Sequence, residues 1–182
     1  MEDLALHILD VAENSLNAGA SDIRIEIDED SKDDLLRIEI RDNGRGIAPD
    51  ILPRVIDPFY TTRTTRNVGL GLPFLKQAAE EAEGSFSIKS DLGKGTTVIA
   101  AFRNSHIDRK PLGNIADTLI MLIAGHTNVD IFFRFRKDDR DFELDTREIR
   151  EGLGDVPLNA ADVLNQLREL IESAIDELQT ES

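Results

Sequence analysis

The chain has 182 residues, a formal net charge of −15 and no cysteine, a length that admits one large domain or one domain with a small appendage. The negative charge disfavours binding to nucleic acid or to an anionic membrane, and the lack of cysteine excludes disulfides and cysteine metal sites. No apolar run reaches membrane-spanning length and the first residues are acidic, unlike a signal peptide, so we expect a cytoplasmic protein.

Residues 3–18 predict an amphipathic helix, because apolar residues recur at steps of three and four. A second stripe of this helix is polar and carries His7, Asp10, Asn14 and Asn17. Asp and Asn are poor helix formers, which suggests that they serve a purpose here. An amide oxygen from Asn14, together with phosphate oxygens and water, would suit Mg²⁺. A solvated helix face is the alternative interpretation.

Two alternating apolar runs, at residues 23–27 and 36–40, predict a β-hairpin. The second strand ends at Asp42, directly before a turn that contains Gly44 and Gly46. Glycine lets the backbone turn sharply and lie close to a ligand. We interpret this stretch as an adenine site, in which Asp42 accepts the exocyclic amine and the glycines make room for the ring. An ordinary turn is the alternative.

After a short helix at 49–55, residues 57–67 predict a loop with four threonines, two arginines and a single acid. This composition suits the oxygens of a triphosphate, although an ordinary surface loop is the alternative. Gly69 and Gly71 then open a helix, and glycines at a helix N-terminus favour anion binding. Residues 85–90 and 96–102 predict a second hairpin.

The order of these motifs resembles the ATP-binding domain that sensor histidine kinases, DNA gyrase, the heat-shock chaperone family and MutL share, over about residues 3–103. The stretches similar to its asparagine box, first glycine box, phenylalanine box, second glycine box and closing glycine–threonine motif are 10–20, 42–47, 57–62, 69–72 and 93–96. The resemblance implies an α+β two-layer sandwich, in which helices cover a mixed, mainly antiparallel sheet. It also implies ATP and Mg²⁺ as ligands.

The resemblance further implies roles for individual residues. Asn14 would bind Mg²⁺, and residues 61–68 would form a lid over the nucleotide. The implied nucleotide contacts are Asn14, Asp42, Gly44, Gly46, Thr62, Arg63, Gly69, Gly71 and Thr96. Asp10 stands where ATP-hydrolysing members place a glutamate base, so it is the candidate general base, with a side chain shorter by one methylene.

Residues 104–182 predict a small α/β appendage, which we assign as a second domain after the ATP-binding domain of residues 1–103. Its predicted elements are a helix at 115–124, strands at 129–136 and 140–144, a short helix near 147–152 and a long helix at 159–178. The apolar stripe of the long helix predicts core packing, with a partner or homodimer surface as the alternative.

His106 and the Arg, Pro and Leu that follow it resemble the phosphoacceptor box of histidine kinases. An ordinary linker histidine is the alternative. We therefore expect a histidine kinase-like enzyme in signal transduction that passes the γ-phosphate of ATP to a partner protein or, as a lesser option, to His106. A nucleotide-gated interaction module with slow hydrolysis is the second hypothesis, and a MutL-like ATPase clamp is the third.

Overall fold

The structure of the protein is a computed structural model that describes residues 3–59 and 71–180. The strands in these ranges are β1 (Asp22–Asp30), β2 (Leu35–Asp42), β3 (Ser85–Asp91), β4 (Gly95–Arg103), β5 (Asp130–Lys137) and β6 (Arg140–Asp145). They form one sheet in the order β3-β4-β2-β1-β5-β6. All neighbouring strands are antiparallel except β1 and β5, which run parallel.

The helices in the described ranges are α1 (Leu4–Asn17), α2 (Leu52–Val55), α3 (Gly71–Glu81), α4 (Ile115–Gly125), α5 (Thr146–Leu153) and α6 (Ala161–Thr180). Helices α1, α3 and α6 contact the sheet, and α4 packs against both α1 and α6. The side chain of Asp3 caps α1 by accepting a hydrogen bond from the Leu6 amide. None of these helices combines the length and the apolar character of a membrane-spanning segment.

The alternation of side chains along the strands decides where the core lies. Ile23, Ile25 and Ile27 of β1 are fully buried, whereas Glu26 and Asp28 point to the opposite face and form ion pairs with arginines of neighbouring strands. The core therefore fills the space between one face of the sheet and the helices. This arrangement confirms the predicted α+β sandwich.

Residues 104–182 contain the predicted helix, hairpin and two further helices, and they extend the same sheet. Strand β5 pairs with β1, so that Ile25 lies opposite Phe133 and Ile27 opposite Phe135. Both phenylalanines are fully buried and belong to the same apolar cluster as the isoleucines of β1. The division into two domains at residue 103 stays a prediction. A chain cut at that point would lack β5, the strand that pairs with β1.

We predict that a chain ending at residue 103 loses cooperative unfolding. Its β1 would become an unpaired edge, and the apolar surface that β5 and α4 cover would face water. Thermal unfolding followed by circular dichroism measures this effect, with a chain ending at residue 180 as the control that should melt like the full chain. A cooperative transition of the 103-residue chain near the full-length melting temperature would show instead that the first part folds alone.

Candidate functional site

A cavity of about 350 Å³ opens at the end of the sheet where β2 finishes and β4 begins. Its wall is mainly apolar and includes a few polar groups from α1, β2 and β4. The lining residues are Val11, Asn14, Ser15, Ala18, Asp42, Arg45, Gly46, Ile47, Ala48, Ile51, Val55, Leu72, Leu92, Thr96 and Val98. A mostly apolar cleft with a few converging polar groups is typical of a small-molecule site.

The carboxylate of Asp42 is held at the floor of this cavity by donors from three elements. The hydroxyl of Ser15 donates to Oδ2 at 2.6 Å. The amides of Gly44 and Thr96 donate to Oδ1 at 2.8 Å and 3.3 Å. An ionised carboxylate can accept about four hydrogen bonds, so these three leave one accepting position for a ligand.

Two glycines allow the turn after β2 to lie directly on the turn between β3 and β4. Gly46 has φ 74°, and a Cβ there would lie 2.2 Å from the carbonyl oxygen of Asp91. Gly95 has φ 118°, and a Cβ there would lie 1.9 Å from the carbonyl oxygen of Asp42. No side chain fits at either position, so glycine is required for the two turns to close the floor of the cavity.

Ser90 links these two turns through a single hydroxyl oxygen. This oxygen accepts from the Ile47 amide at 2.8 Å, donates to the Gly95 carbonyl at 3.1 Å and lies 2.7 Å from Oγ1 of Thr96. Neither Ser90 nor Ser15 is among the site residues predicted from the sequence. Ser15 was detectable as a lone hydroxyl in an apolar row of α1, and Ser90 as the residue opposite Thr96 in the second hairpin.

Asp10 and Asn14 lie one helical turn apart on α1, at the side of the cavity where α3 begins. Asn14 lines the cavity, and a Cβ on Gly71 would lie 2.8 Å from Cβ of Asp10. Burial raises the pKa of the Asp10 carboxyl above its ordinary value, and the nearby Glu13 carboxylate raises it further. A carboxylate with a raised pKa is a stronger proton acceptor, which suits a general base.

The structure does not bring His106 to this cavity. His106 follows the far end of β4, where its Nε2 lies 3.7 Å from Oε1 of Glu83. At about 3.3 Å per residue, β4 separates Thr96 from Arg103 by roughly 23 Å. Of the other predicted contacts, Thr62, Arg63 and Gly69 lie outside the described residues, as does the predicted lid at 61–68.

His7 lies one turn before Asp10 on α1 but belongs to the core. It is 2% exposed, and neither ring nitrogen has a hydrogen-bond partner within the part of the chain that the structure describes. Burial lowers the pKa of His7 from 6.5 to about 4. The imidazole is therefore neutral at pH 7, and it is absent from the lining of the cavity.

We predict that His7 makes the fold less stable as the pH falls from 6.5 to about 4. Above this range the imidazole is neutral in both the folded and the unfolded chain. Within it, the unfolded chain binds a proton that the folded chain does not, so the free energy of unfolding decreases. In His7→Leu the loss between pH 7 and pH 4 should be smaller by on the order of 2 kcal/mol.

Urea unfolding of both proteins at the two pH values measures this difference. The carboxylates respond to pH alike in the two proteins, so the comparison isolates the imidazole. An equal loss of stability in wild type and His7→Leu would contradict the prediction.

A family model described as "Histidine kinase-, DNA gyrase B-, and HSP90-like ATPase" matches residues 2–106, more than half of the chain. The sensor protein SrrB of Staphylococcus aureus strain NCTC 8325 / PS 47 is 40% identical to this chain over 104 residues. The match covers 54% of this chain and 17% of SrrB, and the SrrB of strain COL matches equally. The chain thus spans about a sixth of the length of these curated relatives.

Two solved structures align with much of this chain. The crystal structure of the N-terminal domain of a DNA repair protein gives a TM-score of 0.53 at 18% identity, covering 79% of this chain and 52% of that chain. The Aquifex aeolicus MutL ATPase domain complexed with ADP gives a TM-score of 0.49 at 16% identity, covering 83% and 68%. At this level of identity, the first match shows a shared fold and nothing further.

Proposed function

Because this chain belongs to the family of histidine kinase-, DNA gyrase B- and HSP90-like ATPases, as the order of its motifs predicted, we propose that it binds ATP with Mg²⁺ and transfers the γ-phosphate to a partner protein. The 40% identity to a sensor protein supports a place in signal transduction, and the cytoplasmic location expected from the composition is part of the proposal.

The observation that carries the proposal is the arrangement of Asp42 at the floor of the cavity. Three donors among the described residues fix its carboxylate, which lines the cavity and has one accepting position left. The exocyclic amine of adenine would supply the missing donor. Apolar side chains of the wall, such as Ile47 and Val98, would pack against the faces of the ring.

The phosphates would extend from the base along α1 toward Asn14, Asp10 and the start of α3. Within the described ranges no group of three or more His, Cys, Asp or Glu residues could hold a metal by itself, so Mg²⁺ would take most of its ligands from phosphates and water and one from the Asn14 amide oxygen. When bound, the ion would neutralise charge on the phosphate oxygens. Thr62, Arg63, Gly69 and Gly71 are the further proposed phosphate contacts.

In the proposed reaction the bond from the γ-phosphorus to the bridging β–γ oxygen breaks, ADP leaves, and the phosphorus bonds to a nucleophile of the partner. The transfer requires no water-activating base on this chain. Asp10 would act as a base only in the competing hydrolysis, in which it would take a proton from the attacking water. His106 could accept the phosphate only from a second copy of the chain, because it lies at the opposite end of the sheet.

A nucleotide-gated interaction module is the second candidate, and the contacts of α1 favour it. The Leu4 amide donates to the Pro111 carbonyl at 2.9 Å, and the Thr118 hydroxyl donates to the Ala5 carbonyl at 3.2 Å. The helix that carries Asn14 is thus joined to the C-terminal part of the chain. A shift of α1 on nucleotide binding would change the surface that this part offers to a partner, and slow hydrolysis would reverse it. A MutL-like ATPase clamp is the third candidate, and the net charge of −15 disfavours it.

Incubation of the protein with γ-labelled ATP, alone and with an extract of its source cells, separates the two candidates. Transfer predicts acid-labile label on a protein of the extract. Label on the chain itself would assign His106 as the acceptor if His106→Gln removed it. Free phosphate as the only product, together with nucleotide-dependent binding of a partner, would support the gated module and exclude transfer.

We predict that Asp42→Asn lowers ATP affinity about tenfold or more, because an amide replaces a charged acceptor and one of its groups then faces the donors of Ser15, Gly44 and Thr96. Titration calorimetry with ATP measures the loss. Asp50→Asn is the matched control, since Asp50 is exposed and not in the lining of the cavity. Unchanged ATP affinity of Asp42→Asn would remove the basis of the proposal.

We predict that Asp10→Asn reduces ATP hydrolysis about a hundredfold, the lower end of a typical general-base contribution, and leaves ATP affinity and transfer to the partner nearly unchanged. Phosphate release and label transfer are measured on the same preparation. Asp50→Asn, at an exposed position outside the lining of the cavity, is the control and should hydrolyse ATP like the wild type. Undiminished hydrolysis by Asp10→Asn would place the base elsewhere.

A further inference from the structure

Three polar side chains form a row across the sheet at the floor of the cavity. Asp42 of β2 lies opposite Thr96 of β4, and Thr96 lies opposite Ser90 of β3. Directly opposite residues of neighbouring strands point to the same face. Asp42 and Thr96 line the cavity. Ser90 is not in the lining, and its hydroxyl oxygen lies 2.7 Å from that of Thr96.

The hydrogen bonds of Ser90 determine the direction of the bond between the two hydroxyls. A serine hydroxyl has one hydrogen to donate and two lone pairs to accept with. The Ile47 amide can only donate to Ser90, and the Gly95 carbonyl can only accept from it. If Ser90 gives its hydrogen to Gly95, Thr96 must donate to Ser90, and all three contacts are hydrogen bonds.

A hydrogen bond donated by Ser90 to Thr96 would leave fewer groups with a hydrogen-bond partner. If Ser90 donated to Thr96 instead, its oxygen would face the Gly95 carbonyl oxygen at 3.1 Å with no hydrogen between them. Two oxygens at that distance repel each other, and one hydrogen bond would be lost. The first arrangement is therefore the more stable one, and it consumes the only hydrogen of the Thr96 hydroxyl.

We propose that Ser90 is a positioning residue that holds the Thr96 hydroxyl as a hydrogen-bond acceptor toward the cavity, so that the site requires an amino group on its base. The free position of the Asp42 carboxylate is an acceptor as well. Asp42 and Thr96 then offer two acceptors to the base, and neither side chain has a hydrogen left to donate to it. This inference rests on the proposed ATP site and assigns the chemistry by which that site selects its base.

Inosine triphosphate is the probe that matches this chemistry. It has the purine skeleton, the ribose and the phosphates of ATP, but a carbonyl oxygen replaces the 6-amino group and N1 carries a hydrogen. At the position of the amino group, the carbonyl oxygen would face the acceptors of Asp42 and Thr96. The wild-type protein should therefore bind ATP at least about tenfold more tightly than inosine triphosphate. In Ser90→Ala the Thr96 hydroxyl is free to turn and donate to the carbonyl oxygen.

The experiment is a titration of each variant with both nucleotides. In Ser90→Ala the ratio of the two dissociation constants should shrink about three- to tenfold. Ser90→Thr keeps the hydroxyl and should keep the wild-type ratio. Ser87→Ala, the same change at an exposed position of β3, should keep it too. A variant whose fold is merely less stable would bind both nucleotides more weakly by the same factor, and the ratio would stay unchanged.

A second variant keeps the inference testable if Ser90→Ala does not fold. Thr96→Val removes the hydroxyl itself and should also shrink the ratio. A wild-type protein that binds both nucleotides equally, or a wild-type ratio in Ser90→Ala or in Thr96→Val, would overturn the inference while the ATP site stands. A wild-type protein that binds neither nucleotide would overturn the proposed function, and the inference with it.

Discussion

The position of one carboxylate constrains most of this structure. The Asp42 side chain accepts hydrogen bonds from α1, from the turn after β2 and from β4, so these elements must meet at one point. The sheet register brings Thr96 opposite Asp42, and the glycines at 46 and 95 let the two turns approach closely enough to close the floor. The burial of apolar residues holds the layers together. The hydrogen bonds of the Asp42 carboxylate determine how α1, β2 and β4 are aligned at this end of the sheet.

Much of the candidate site could be predicted because its signals are local. The alternation of isoleucines gave both strands of the first hairpin, and this hairpin placed Asp42 at a strand end. The helical spacing of Asp10 and Asn14 put both on one stripe of α1. The motif order then joined these pieces into one family, because each motif is weak alone but their sequence along the chain is specific.

The parts that could not be predicted depend on contacts between distant residues. Nothing in the segment around Ser90 shows that its hydroxyl meets three groups from two turns, since that follows from the register of β3 and β4. The motif around His106 carried no information on its distance from the cavity, which the length of β4 decides. The parallel pairing of β1 with β5 was not predicted either. The sequence of β5 and β6 is equally consistent with a hairpin in a separate appendage.

This parallel pair has a consequence for how the chain folds during synthesis. Asp22 pairs with Asp130, which comes 108 positions later, so the first hairpin leaves the ribosome long before the strand that completes it. Until then, the outer side of β1 offers unpaired amides and carbonyls beside an apolar face. Closing so long a loop is entropically costly and slow. The nascent chain is therefore most prone to pair with another copy, or to need a chaperone, in the interval before residue 137 has emerged.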